Sequence, residues 1–503
     1  MPIARIYLPA LKVSSRKVLF SSSLMALLLS SFFVLLGGSN NAQAQEVEAS
    51  AGSDVSAASG SNRFVVWRDT IGEGRGDIYF KRSTDNGANW KASVNLSNNA
   101  GTSDNPKLAV SGANVFVAWS QNSADGTKHD IFLKRSTNNG ATWGGNIKIT
   151  PGGTCTTASG SCHAIDSLTA SGANLYLLTE KSGDIFLRRS SDNGAIWKTP
   201  VNISSNVGIS SDPDIAVSGS NVYLTWFQEN SARTSQDILF RRSTDNGATW
   251  KSKVNLSNDL GQSRGPDIAA SGSNVYVTWS GDVTFPDERT FMGILFKNSN
   301  DGGATWTSIK VLSDHPIDDP DDDGQMVGAQ SPQVVASGSN VYMAWFDNVF
   351  LVEKASGSMD VVFRRSLDGG NTWDPVVVLD DSNSSEGCPQ IELAVSGSMA
   401  YLAWLLSDEA CNWGRIEFSL STDDGATWSA PRSMADVFLK GAMVGSLELT
   451  VSNSSVFLVI ARDMGGPGSD IFIARSTNAG ETWGLGLNLS KTSGISDHPQ
   501  MGL

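Results

Sequence analysis

The sequence predicts an all-β fold in which one structural unit repeats around a ring. A box that matches the pattern Ser-x-Asp-x-Gly-x-Thr-Trp or departs from it at one position occurs eight times, and its last residues are Trp90, Trp143, Trp197, Trp250, Trp306, Trp373, Trp428 and Trp483. These tryptophans lie 53 to 67 residues apart. That period is too long for helical solenoid repeats and suits one four-stranded sheet per repeat. We therefore predict a single β-propeller of eight four-stranded antiparallel blades.

Residues 213–256 show the order of elements within one period. The segments PDIAVSG, SNVYLTW, QDILFRRS and VNLS are predicted strands A, B, C and D, and the box TDNGATW separates C from D. Apolar residues alternate along these segments, and Ser-Gly-Ser-Asn or Asp-Asn-Gly turns bound them, as in antiparallel hairpins. On the C–D turn, the box Asp can accept turn amides, Gly supplies a positive φ, and Trp wedges between sheets.

The two ends of the repeat region predict how the ring closes. Blade 1 begins with a weak strand A, SDVSAASG, from Ser53, whereas the chain stops at HPQMGL, residues 498–503, which has the character of a further strand A. Pairing of residues 499–503 beside blade 1 would remove the exposed edges of an open array. We therefore expect residues 53–503 to form one closed domain.

Residues 1–44 have the composition of an export signal. Four basic residues precede an uncharged run from Val18 to Gly38, and Ala42-Gln43-Ala44 offers a small-x-small cleavage site. An uncleaved anchor is the alternative, because about 20 apolar residues can span a bilayer. Residues 45–52 would then be a short linker, and no later segment has the character of a membrane span. We expect a secreted or surface-displayed protein.

Cysteine content and charge restrict the partners. The four cysteines form two local pairs, Cys155 with Cys162 and Cys388 with Cys411, which predicts two disulfides in an exported chain. The net charge is −14 and there is no Lys/Arg block, which argues against nucleic acid and anionic lipid. A glycan or an extracellular protein remains as the expected partner of a monomer.

The eight boxes resemble the Asp-box, or BNR, repeats of sialidases and related secreted propellers, over nearly all of residues 53–500. The resemblance implies the fold and leaves the activity open, because Asp boxes also occur in propellers without glycosidase chemistry. A sialidase of that family would use a tyrosine nucleophile paired with a glutamate, an aspartate as acid/base, and three arginines that clamp the substrate carboxylate. Every tyrosine after the leader fills a periodic strand position. Arg68, Arg264 and Arg462 are the non-periodic arginines and the candidates for the clamp.

The irregular loops predict which face carries function. A–B turns and boxes share one face, whereas the B–C loops and D–A connections, which hold the insertions, share the opposite face. Binding residues concentrate on variable loops of rigid scaffolds. Trp413, beside Cys411, is outside the repeat pattern and is a candidate for stacking on a sugar ring, with loop packing as the alternative. All four histidines also lie in these connections, but without ligand spacing that would predict a shared metal.

Asp319, Asp321 and Asp323 form an Asp-x-Asp-x-Asp-Gly motif that can place alternate carboxylates around Ca²⁺. Gln330 stands where an EF-hand loop has Glu and no helices flank the motif, so an acidic solvated loop is the alternative. No other cofactor is expected.

A further set of polar residues precedes the first buried aliphatic residue of strand A, and we call this position the slot. It holds Lys107, Ser167, Asp214, Asp267, Gln333, Glu392 and Glu448. We expect these residues to encircle the mouth of the central channel. Carboxylates with separated pKa values can serve as general acid and base, which makes Asp214, Asp267, Glu392 and Glu448 catalytic candidates. Simple polarity at a wet channel mouth is the alternative.

The sequence therefore predicts an exported propeller that binds a glycan or protein on the face opposite the boxes. The alternative function is an exo-sialidase or related glycoside hydrolase acting from the same face.

Overall fold

The computed structural model has its described residues in one compact unit, Val47–Leu503. It describes residues 50–51, 60–71, 75–150, 155–156, 162–205, 208–230, 235–258, 261–284, 290–313, 328–347, 360–380, 390–407, 414–438, 444–463, 468–492 and 494–503. The predicted export signal, the linker up to residue 49 and the predicted strand A from Ser53 lie outside these ranges.

The described residues form eight four-stranded units, numbered as blades 1 to 8. Strands A, in that order, are Ile495–Gly502, Thr102–Ser111, Ala164–Ser171, Ile209–Ser218, Ser263–Ser271, Gln330–Ser337, Gln390–Ser396 and Val444–Ser452. Strands B are Arg63–Ile71, Asn114–Asn122, Asn174–Lys181, Asn221–Glu229, Asn274–Thr284, Asn340–Asp347, Met399–Ser407 and Ser455–Asp463.

Strands C are Arg75–Ser83, Lys128–Ser136, Asp184–Ser190, Gln236–Ser243, Thr290–Ser299, Asp360–Ser366, Gly414–Ser421 and Ser469–Ser476. The short outer strands D are Val94–Asn95, Ile147–Lys148, Val201–Asn202, Val254–Asn255, Lys310–Val311, Val377–Asp380, Arg432–Ser433 and Leu487–Asn488. Within each blade the strands pair antiparallel in the order A-B-C-D.

Three short elements are additional to this pattern. Ser50–Ala51 pairs with strand A of blade 6, and Cys155–Thr156 pairs with strand C of blade 2. Ala435–Phe438 is a single helical turn. The described residues are therefore almost entirely β, which confirms the predicted fold class of a propeller with four-stranded antiparallel blades.

Blade 1 takes its innermost strand from the C-terminus. Ile495–Gly502 pairs antiparallel with strand B of blade 1, with Phe64 opposite Gly502 and Val65 opposite Met501. Strand A of each blade contacts strand A of the next, and strand A of blade 8 contacts that of blade 1. The ring formed by the described strands is closed.

The hydrophobic core lies between the blades. Eight clusters of buried side chains are found in the described residues, and each combines residues of two neighbouring blades, including blades 8 and 1. The six tryptophans of strand B are fully buried there. The box tryptophans are half-buried at the cluster edges; the Trp306 ring, for example, meets Phe240 of the preceding blade edge-on at 4.8 Å. They occupy the predicted position between sheets.

The boxes lie on the C–D turns as predicted, and their polar groups bond within the turn. In blade 4, Ser243 Oγ donates to Asp245 Oδ1 at 2.7 Å and accepts from Gly247 N at 2.9 Å. Thr249 N and Oγ1 donate to the two Asp245 oxygens at 2.8 and 2.6 Å, and these bonds lower the Asp245 pKa. In blades 2 and 8 an asparagine, Asn138 or Asn478, accepts the equivalent Thr amide instead.

The periodic arginines and tyrosines also serve the repeat. Arg242 Nη1 donates to Gly302 O, in the box of the next blade, at 2.8 Å. The Tyr342 hydroxyl donates to Asp424 Oδ1, again in the next box, at 3.2 Å. Five tyrosines of strand B are fully buried, namely Tyr176, Tyr223, Tyr276, Tyr342 and Tyr401. Tyr342 therefore directs its hydroxyl toward the box face, away from the predicted functional face.

Candidate functional site

The slot residues of strand A bridge neighbouring blades. Asp267 Oδ2 accepts Val334 N of blade 6 at 2.6 Å, and Gln333 Oε1 accepts Leu393 N of blade 7 at 2.9 Å. Strand side chains point to the two faces of a sheet, and in a propeller these faces pack against the neighbouring blades. The slot side chains that make these bonds lie between blades, and their position around the channel mouth stays a prediction.

The other two bridging slot residues are Asp214 and Glu448. Asp214 Oδ2 accepts Ile268 N of blade 5 at 3.0 Å, and Glu448 Oε2 accepts Met501 N of blade 1 at 2.5 Å. These bonds give both carboxyls a structural part in joining blades. A catalytic part for Asp214, Asp267 or Glu448 stays a prediction.

Glu392 differs from the other slot carboxyls. The bridge from blade 7 to blade 8 is made by Gln390, whose Oε1 accepts Leu447 N at 3.0 Å. Glu392 is half-buried, and burial raises its pKa to about 8. A carboxyl with this pKa keeps its proton at neutral pH, as a general acid must. The catalytic candidacy of Glu392 stays a prediction.

A cluster of charged side chains from blades 1 and 2 lies where strands A begin, on the face opposite the boxes. Arg68 Nη1 is 3.0 Å from Asp497 Oδ2, and Arg68 Nε is 3.6 Å from Asp104 Oδ1. His498 Nδ1 is 3.0 Å from Asp497 Oδ1, and this contact raises the His498 pKa. A Cβ at Gly76 would lie 2.6 Å from Arg68 Nε, so a glycine there leaves room for the guanidinium. We call these four charged residues the Arg68 cluster.

The other two clamp candidates lie apart from it. Arg264, on blade 5, is exposed and donates from Nη2 to Gln262 Oε1 at 2.6 Å. Arg462, on strand B of blade 8, is 7% exposed and stacks over the Phe472 ring at 5.2 Å. Blade 5 is across the ring from blades 8 and 1. Within the described part of the chain, the three arginines share no hydrogen-bond or ion-pair partner.

Arg462 and His163 each cover a strand C aromatic ring in a blade without the strand B tryptophan, and these roles were not predicted from the sequence. Blades 3 and 8 lack the strand B tryptophan and have Thr179 and Ile460 there. In blade 8, Arg462 covers the strand C aromatic ring. In blade 3, the buried His163 lies edge-on to Phe186 at 5.1 Å and its Nδ1 is 3.0 Å from Thr179 Oγ1. Burial lowers the His163 pKa to about 4. The two missing tryptophans were the available sequence signal.

A group of carboxyls at the junction of blades 3 and 4 was also missed. Asp166 occupies a strand A position where blades 1, 2, 4, 5 and 6 have proline, and that replacement was the sequence signal. Burial, followed by the nearby Glu180, raises the Asp166 pKa to about 8. The pKa values of Glu180 and Asp212 are raised by burial as well.

One predicted disulfide is confirmed, between Cys155 and Cys162. It joins Cys155, paired with His129 of blade 2, to the start of blade 3. Cys388, Cys411, Trp413 and the proposed Ca²⁺ ligands Asp319, Asp321 and Asp323 lie outside the described residues, and their roles stay predictions. In the ranges that are described, no group of three or more His, Cys, Asp or Glu side chains is arranged to hold a metal. No helix within those ranges is long and apolar enough to cross a bilayer.

Comparison with solved structures finds several that are similar to this chain. Solved structures similar to this chain include a polysaccharide lyase described as an ulvan lyase, at 12% identity, 75% coverage of this chain and 92% of that chain, with a TM-score of 0.39. A sialidase from Streptococcus pneumoniae is 12% identical, with 80% and 92% coverage and a TM-score of 0.34. A Trypanosoma rangeli sialidase is 13% identical, with 75% and 54% coverage and a TM-score of 0.34.

The comparison with curated proteins gives no match. Residues 180–436 match the BNR repeat-like domain family, and this region covers about half of the chain. The match agrees with the resemblance carried by the boxes. The protein therefore belongs to the BNR repeat-like domain family.

Proposed function

We propose that this protein is an exported propeller that binds a glycan on the face opposite the boxes. The Arg68 cluster is the observation that carries the proposal. Its charged side chains come from two neighbouring blades and lie outside the periodic bonding of the repeat. The Asp104 and His498 side chains are 48% and 54% exposed, so a ligand can reach them.

The chemistry of this cluster suits a sugar. Each sugar hydroxyl can both donate and accept a hydrogen bond, while carboxylates accept and guanidinium and imidazole groups donate. The box face offers less, because box side chains such as Ser243 and Asp245 already bond within their own turn. Trp413 would add an aromatic surface for ring stacking if its loop faces the same ligand.

Two observations support export to the cell surface or medium. Residues 1–44 have the composition of a signal, and the Cys155–Cys162 disulfide is of a kind that persists in oxidising compartments. The expected ligand is therefore an extracellular or surface glycan.

A glycan array that carries neutral, amino and acidic sugars tests the proposal with the purified protein. We expect binding to a restricted set of glycans. Calorimetry with the best ligand should then give at least a tenfold weaker affinity for Asp104→Ala combined with His498→Ala, and an unchanged affinity for the box-face control Asp245→Asn. No glycan binding, or capture of a protein ligand alone, would contradict the proposal.

A glycoside hydrolase is the second candidate, and Arg462 favours it. Among the described residues, Nε and Nη1 of this buried guanidinium have no hydrogen-bond partner, although buried donors normally find one. The carboxylate of an acidic sugar would supply an acceptor. Hydrolysis of a fluorogenic sialoside that is lost in Arg462→Met would support this candidate. The five strand B tyrosines are fully buried, which counts against a nucleophile from that strand, and we expect no sialoside turnover by the wild type.

A further inference from the structure

The junction of blades 4, 5 and 6 contains two carboxyls that compete for one backbone donor. Ile268 N lies 3.0 Å from Asp214 Oδ2 and 3.1 Å from Asp267 Oδ1. The remaining oxygens are also used, because Asp214 Oδ1 accepts Ile215 N at 2.8 Å and Asp267 Oδ2 accepts Val334 N at 2.6 Å. One amide therefore holds carboxylate oxygens of two different residues close together.

The groups around this pair do not neutralise two negative charges. Strands B of blades 4 and 5 place the buried Thr225 and Thr278 opposite the two aspartates, and both hydroxyls donate to backbone carbonyls. Strand A of blade 6 has the uncharged Gln333 in the slot. On blade 7, Glu392 repels an ionised Asp267 once Glu392 has itself lost its proton at alkaline pH.

We propose that Asp214 and Asp267 share one proton and form a pH-sensitive latch between blades 4, 5 and 6. With the proton bound, one carboxyl donates to the other and both keep their amide donors, so the three blades are tied together. When the proton leaves for solvent, two negatively charged carboxylates remain next to each other at half-buried positions. Burial and the neighbouring carboxyl raise the pKa of Asp214, and burial raises that of Asp267, as this arrangement requires.

The sign of the effect follows from these directions. A carboxyl whose pKa is raised on folding stabilises the fold fully below its unfolded pKa of about 4. That contribution is lost as the pH rises through the folded value. The latch therefore predicts that the packing between blades 4, 5 and 6 is less stable at alkaline pH.

Thermal melts of the purified protein between pH 5 and pH 10 test the latch. In Asp214→Asn, the amide can donate to Asp267 at every pH, and Ile268 N keeps Asp267 Oδ1 as an acceptor. We expect the melting temperature of the variant to equal or fall below that of the wild type at pH 5 and to exceed it by about 2 °C or more at pH 10. Asp267→Asn should show the same crossing and replaces the first variant if that one does not fold.

Asp245→Asn is the matched control, because the box carboxyl has a lowered pKa and stays ionised throughout this range. The melting temperature of this control should change with pH in parallel with that of the wild type. Hydrogen exchange, corrected for the intrinsic effect of pH, should show extra opening of blades 4 to 6 in the wild type at pH 10. Melting temperatures of the wild type and of both slot variants that change with pH in parallel would overturn the latch.

Discussion

Trp226 and Trp250 belong to the same blade but differ in burial, and alanine substitution of each gives a graded test of the packing. Trp226, on strand B, is fully buried between blades 3 and 4, whereas Trp250, at the end of the box, is half-buried at the edge of the same cluster. Within the described ranges Trp226 Nε1 has no hydrogen-bond partner, so we attribute its contribution to packing.

The magnitudes follow from the buried area. A fully buried aromatic side chain removes roughly 150–250 Å² from water, which at about 25 cal/mol per Å² corresponds to about 4–6 kcal/mol as an upper value. Measured costs of Phe or Trp to Ala changes are about 3–5 kcal/mol, and we expect about 4 kcal/mol for Trp226→Ala. Trp250→Ala, with about half of that burial, should cost roughly 2 kcal/mol.

Denaturant unfolding followed by circular dichroism measures both variants against the wild type. Trp226→Phe is the matched control, since it keeps an aromatic ring in the cavity and should cost roughly 1–2 kcal/mol. An equal or larger loss for Trp250→Ala would refute the reasoning, because it would place the main inter-blade anchor in the box.

Two further predictions concern ring closure and low pH. Deletion of residues 495–503 removes the innermost strand of blade 1 and exposes the edge of Arg63–Ile71. We therefore expect a lower melting temperature and self-association in size-exclusion chromatography. A monomer with unchanged stability would contradict closure by this strand. His163 has a pKa lowered to about 4, so its neutral form stabilises the fold above the unfolded pKa of about 6.5 and this contribution is lost as the pH falls through 4. His163→Gln should therefore flatten the fall in unfolding free energy between pH 6.5 and 4 by at most roughly 3 kcal/mol, and an unchanged slope would show that other groups cause the fall.

The periodic features of the fold could be predicted from the sequence because each one repeats. The spacing of the boxes predicts the blades, and alternation predicts the strands and the buried tryptophans of strand B. The C-terminal HPQMGL segment predicts the strand that pairs with Phe64 and Val65. In each case a local pattern is sufficient, because a blade is made from one continuous stretch of chain.

The contacts of residues that depart from the repeat could not be predicted from the sequence, because their partners come from other blades. The slot position of Asp214 and Asp267 is visible in the sequence, but the donors Ile268 N and Val334 N belong to neighbouring blades. Likewise, the absence of tryptophan at Thr179 is visible, whereas its replacement by His163 depends on where the disulfide-linked connection enters blade 3. The Arg68 cluster requires the closed ring, since Asp497 and Arg68 lie far apart in the chain.

The central claim is that ligand binding belongs to the face opposite the boxes. Glycan affinity of three proteins measured side by side tests it most directly: the wild type, the Asp104→Ala, His498→Ala variant of the Arg68 cluster, and the box variant Asp245→Asn. We predict that the Arg68 cluster variant keeps the wild-type circular dichroism spectrum and loses at least tenfold in affinity, while the box variant binds as the wild type does. Loss of affinity in the box variant, with binding retained in the Arg68 cluster variant, would contradict the claim.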